Sequence, residues 1–192
     1  MTTSSLALVL GLLLASDGRP ADDHLLAGAN AFREERYDAA LVEFGVAASL
    51  GSPDAATYVA TTLVKLNRPE EAVQAFGPSK AAGQDALLDY YRALACYEAQ
   101  LYQCADALMA SVGMRAGPRI AGLAADVRAK VATVLAGEPT RETIDWYLAR
   151  CSAERKGKRD VLAMAYCAEA AGLSKRRADR YKLAEAEAGT KR

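Results

Sequence analysis

Gly28-Ala-Asn-Ala-Phe-Arg33 and, after the charged break Glu34-Glu35-Arg36, Tyr37-Asp-Ala-Ala40-Leu-Val-Glu-Phe44-Gly-Val-Ala47 decide the fold. The second half of this stretch recurs as Pro69-Glu-Glu-Ala72 with Phe76, and again as Tyr102-Gln-Cys-Ala105 with Met109. Ala40, Ala72 and Ala105 follow one another at 32 and 33 residues, and Gly28 and Ala60 lie twelve residues before the first two. A period of this length is that of one antiparallel helix pair that must stack on its neighbours to bury a face. The small residues let the two helices of a pair approach, and Phe44, Phe76 or Met109 fills the space between successive pairs.

Composition agrees. The 192 residues include 42 Ala but only 11 Val and 2 Ile, so the best helix former is abundant and the residues suited to a pleated sheet are scarce. The expected class is all-α. Pro53, Pro69, Pro118 and Pro139 stand where a first helical turn tolerates them. With the charged turns between them, they divide the chain into helices near residues 22–34, 37–49, 53–66, 69–77, 85–99, 102–113, 118–135, 140–155, 158–171 and 174–188.

Gly28, Tyr37, Ala40, Phe44, Ala47 and Pro53 resemble the tetratricopeptide repeat family, whose pattern is a small residue on the first helix, an aromatic opening the second, an Ala, an aromatic four residues on, another Ala and a closing Pro. The resemblance implies a right-handed α-solenoid of about four to five antiparallel helix pairs with a C-terminal capping helix. Its repeats would cover residues 22–53, 54–84 and 85–116, with degenerate repeats and the cap over 117–192. It weakens along the chain: Pro69 replaces the opening aromatic in the second repeat, and the third keeps Tyr90, Tyr97, Tyr102, Ala105 and Met109. Two registers stay open beyond it. Simple alternation pairs residues 118–155 and then 158–188. The other, built on Trp146, Gly157 and Tyr166, pairs residues 143–171 with Leu162 at the Ala position, leaving 174–188 as a cap.

Leu6 to Ala15 is a run of ten residues without a polar side chain, followed by Ser16-Asp-Gly-Arg. A membrane span needs about twenty. Residues 1–18 are expected to be a signal peptide, cut after Ala15 or Gly18, which makes residues 19–192 a periplasmic or secreted domain. The alternative is a cytoplasmic protein whose N-terminal segment is an uncleaved helix.

Motifs of catalysis are missing. His24 is the one histidine, so neither a His-His metal pair nor a robust Ser or Cys relay through His can be assembled within the chain, and there is no Walker-type or Gly-x-Gly-x-x-Gly loop. Glu34-Glu35 and Glu70-Glu71 sit where carboxylates complement a helix dipole. The expectation is a protein without enzymatic activity, cofactor or metal. Of the four cysteines, Cys96 and Cys104 are symmetric about the turn near Gln100 and are expected to be bridged in an oxidising compartment, while Cys151 and Cys167 are expected to remain open to alkylation.

The family acts by presenting a concave wall of inner helices to an extended peptide or a partner helix. Candidate contacts are Leu25, Phe32 and Arg33 in the first repeat, Thr61 and Lys65 in the second, and Tyr91 in the third. Arg33 and Lys65 occupy equivalent places and suit an acidic ligand, with Phe32 and Tyr91 as apolar anchors. In the family's chaperone-binding subset a Lys and an Asn grip a C-terminal carboxylate, but Leu25 and Ala29 stand at those places here. A second candidate is the basic patch Lys175, Arg176, Arg177 and Arg180, where cations oppose the dipole of a helix expected to begin at Ser174. Only Tyr181 interleaves with it, so nucleic acid is not expected. Residues 1–114 hold 7 Lys/Arg and 14 Asp/Glu, whereas residues 115–192 hold 17 and 10, an asymmetry that favours head-to-tail self-association. These readings describe a non-catalytic adaptor for a protein or peptide.

Overall fold

The computed structural model describes residues 20–77 and 85–190, with side chains as far as Ala178 in the last helix. The signal-peptide expectation for residues 1–18 lies outside the described residues. Nine helices and no strand are found among them. They are α1 (Pro20–Arg33), α2 (Tyr37–Ser49), α3 (Ala55–Lys65), α4 (Pro69–Phe76), α5 (Ala86–Glu98), α6 (Tyr102–Arg115), α7 (Pro118–Ala136), α8 (Arg141–Lys156) and α9 (Asp160–Thr190). The chain divides into two compact units at Gly77.

In the first unit α1 pairs with α2, α2 packs on α3, and α3 pairs with α4. Gly28, on α1, faces the Phe44 ring: a Cβ added there would lie 2.7 Å from two ring carbons. Phe44 is almost fully buried and stacks on Tyr58 at 5.2 Å, while Phe32 meets Tyr37 edge to face at 5.1 Å. Each such buried apolar side chain contributes about 1.5–3 kcal/mol. Thr62, with no exposed surface, donates its hydroxyl to the Tyr58 carbonyl at 2.7 Å and so carries no unmet polar group into the core.

In the second unit α5 pairs with α6, α6 packs on α7, and α8 pairs with α9, which also crosses the first turn of α6. Asp85 caps α5 through Leu87 and Leu88 N–H, and Thr140 caps α8 through Thr143 N–H. The partner of α8 is therefore α9, as in the register built on Trp146, Gly157 and Tyr166. No separate cap follows. The helices expected at 158–171 and 174–188 are one 31-residue helix. Ser174 does not open a new helix, because its hydroxyl turns back to the Ala170 carbonyl, 2.8 Å away, inside a continuing one.

The turns fix the register of the helix pairs. Four turns share one geometry, each with a non-glycine residue in the left-handed region: Glu35 (φ 59°), Asn67 (56°), Gln100 (63°) and Lys158 (58°). In each, the next residue's N–H reaches back to close the helix end, as Arg36 to Ala31, Arg68 to Leu63, Leu101 to Cys96 and Arg159 to Glu154, at 2.8–3.0 Å. Counting five residues on from each gives Ala40, Ala72, Ala105 and Ala163, all essentially without exposed surface. The small residue of the last pair is thus Ala163, not Leu162. Counting seven back gives Gly28, Ala60, Ala93 and Cys151, and nine on gives Phe44, Phe76, Met109 and Cys167.

Candidate functional site

The proposed wall residues do not form an exposed surface together. Leu25 and Phe32 belong to the core cluster with Ala40 and Phe44, at 3% and 6% exposure. Leu25, Gly28, Ala29 and Phe32 fall at helical spacing on one stripe, so the face that takes Gly28 to its partner helix takes the large residues inward too. Thr61 is buried and donates to the Thr57 carbonyl at 2.9 Å. Tyr91 is buried in the second unit, edge to face with Tyr90 at 6.0 Å. Arg33 and Lys65 are exposed at the ends of α1 and α3, and Arg33 donates to Asn30 Oδ1. The expectation of exposed aromatic anchors fails, while the two cations stay on the surface.

The basic patch also divides. Lys175 is exposed and Arg177 half-buried, but Arg176 turns inward and donates to the Leu135 carbonyl at the end of α7. The side chain of Arg180 lies outside the described residues. All four cysteines are paired: Cys96 with Cys104 and Cys151 with Cys167, at Cα separations of 6.0 and 5.2 Å. The second bridge overturns the expectation of two alkylatable thiols. The loop around Gly157 is not symmetric about these cysteines, but the register places them where Gly28 and Phe44 meet in the first pair.

Arg176 leads to a site that the sequence reading missed. Leu162, Tyr166, Glu169, Leu173 and Arg176 recur at three and four residues along α9 and form one stripe. Its second half faces a cavity of ≈ 190 Å³, walled by Tyr102 of α6, the end of α7, Glu138 and Pro139 of the following connection, and Thr143 and Tyr147 of α8. Glu169 is 2% exposed. Its Oε1 accepts the backbone N–H of Cys104 at 2.9 Å and its Oε2 the amide of Gln103 at 3.0 Å, so it caps the open N-terminus of α6 from a distant helix. Burial holds its carboxyl above the usual carboxylate range, an effect opposed by these hydrogen bonds and by Arg176. Tyr147 donates to the Gln100 carbonyl at 2.5 Å, and burial, followed by the Glu169 charge, pushes its phenol well above the ordinary range. The signal for this site was Glu169 itself, a single acid within the apolar run from Val161 to Ala171. Ending that run at Ser174 concealed the continuation to Arg176.

What the lining offers is one carboxylate at depth, a second at Glu138, one anchored guanidinium and two phenols, a set suited to holding a small polar group. Among the described residues there is no cluster of His, Cys, Asp or Glu that would hold a metal ion, and no helix long and apolar enough to cross a membrane. Compared with protein-family models, curated proteins and solved structures, the chain matches none.

Proposed function

We propose that this chain is a non-catalytic helical-repeat adaptor that holds a protein or peptide partner against the inner helices of a solenoid of tetratricopeptide type. The observation that carries the reading is the survival of Arg33 and Lys65 as exposed cations at corresponding ends of α1 and α3, in one compact unit, after the apolar candidates have gone into the core. Recognition then rests on charge and favours a partner segment rich in Asp or Glu. Two bridged cysteine pairs support an oxidising compartment, which favours the bacterial periplasm or envelope over the cytoplasm.

The test is capture of partners by wild type and by Arg33→Glu with Lys65→Glu. Both side chains are exposed, so melting should change little while partners are lost. If the double variant retrieves the same proteins as wild type, this surface is not where they bind. Loss of capture as salt is raised should accompany the wild-type interaction.

A further inference from the structure

A stripe built only to pack α9 against α8 would stay apolar along its length. Leu162 and Tyr166 do that work, with 0% and 1% exposure, and then the same stripe turns to Glu169, Leu173 and Arg176 over the cavity. Burying a carboxylate to 2% exposure is costly unless its acceptor sites are filled. A carboxylate has about four lone-pair sites. Cys104 N–H and the side-chain amide and backbone N–H of Gln103 occupy three of them, which leaves room for one more donor.

Size limits the occupant. At ≈ 190 Å³ the space is smaller than the ~300–1,000 Å³ of sites for drug-sized ligands and cofactors, yet larger than the ~150 Å³ void that accommodates benzene. It has room for one extended side chain or a molecule of similar bulk. Charge limits it further. The lining carries Glu138 and Glu169 against Arg176 alone, and that guanidinium is engaged by the Leu135 carbonyl at the negative end of α7. With both carboxylates ionised, the lining carries a formal charge of one negative unit. Tyr102 and Tyr147 add aromatic rings, which attract cations.

We propose that this cavity is a binding site for an alkylammonium group, its nitrogen donating to Glu169 and its stem lying along Leu173 between the tyrosines. A lysine side chain of a partner and a free diamine carry the same group. The inference does not depend on the adaptor reading, since it concerns the second unit alone and is tested without any partner protein.

Calorimetric titration of the full chain with 1,5-diaminopentane, with the acetyl-Gly-Lys-Gly-amide peptide and with 1-pentanol tests it. At least one amine should bind tenfold or more tightly than the alcohol. Binding of the peptide alone identifies a protein lysine as the natural occupant, binding of the diamine alone a free amine, and either supports the site. Leu173→Phe, which fills the cavity without touching the carboxylate, should weaken amine binding at least tenfold, as should Glu169→Gln where circular dichroism shows it folded. Arg176→Met should strengthen it. Amines that bind no better than pentanol, a Leu173→Phe protein that binds them as well as wild type, or weaker binding by Arg176→Met would each overturn the proposal.

Discussion

Cys151 and Cys167 are bonded at the two register positions where, in the first helix pair, Gly28 lies against the ring of Phe44. Both pairs are 16 residues apart, and in both the second partner is the eighth residue of its helix. One hairpin thus closes its helices by removing a side chain to admit a ring, and another by a covalent bond. The equivalence makes each contact a test of the other.

Gly28→Ala should destabilise the protein by roughly 1–3 kcal/mol, because the added Cβ would overlap a ring with almost no exposed surface. Pairing it with Phe44→Leu should recover part of the loss relative to Phe44→Leu alone. Urea midpoints of the four proteins measure this, and simple additivity would mean that the two residues are not in contact.

Native protein from an oxidising compartment should show no alkylation at Cys96, Cys104, Cys151 or Cys167 until a reductant is added. Replacing Cys151 and Cys167 together by Ala should cost about 3 kcal/mol, as expected for closing a loop of this length. Peptide mapping that finds Cys167 labelled in the unreduced protein would remove the second bridge.

The four left-handed turn residues are strained by their Cβ atoms, and none of them is glycine. Gln100→Gly or Lys158→Gly should raise stability by roughly 0.5–1 kcal/mol, the relief of the left-handed conformation exceeding glycine's added freedom in the unfolded chain. A lowered melting temperature in both variants would show that these side chains contribute more than their conformation costs.

Burial raises the Glu169 carboxyl above its ordinary 4.5, so the folded state holds this proton more tightly than the unfolded one. Its contribution to stability is therefore fully present below that value and is lost as pH climbs through the raised folded value. Stability plotted against pH should fall over this window in wild type, and that fall should be absent from Glu169→Gln. Parallel curves for the two proteins would show that the carboxyl does not titrate differently on folding.

Much of the fold was legible in the residues from Gly28 to Ala47. Helix propensity, the positions of Pro and Gly and the 32-residue and 33-residue recurrence are local or periodic properties, written in the order of the chain. They were sufficient for an all-helical fold and for a close approach at Gly28. The direction of Phe32 was legible as well, since it shares a stripe with Gly28. It was missed because a family expectation assigned the large residues to an open wall.

Other features required the tertiary structure. The sequence alone left open whether 118–155 or 143–171 forms a pair, since α7 and α8 have similar local patterns and only packing on α6 and α9 separates them. Nor did spacing select the Cys151–Cys167 bridge, which depends on how far two helices are offset along each other. Glu169 is the clearest case. Its hydrogen bonds to α6 reach residues 65 and 66 positions earlier in the chain, and the cavity beside it is walled by residues of α6, α7 and α8 as well as its own helix. Where helices begin, end and repeat follows from the order of residues, because backbone propensity acts within a few residues; which charges are enclosed was settled when distant helices met and excluded water from the space between them.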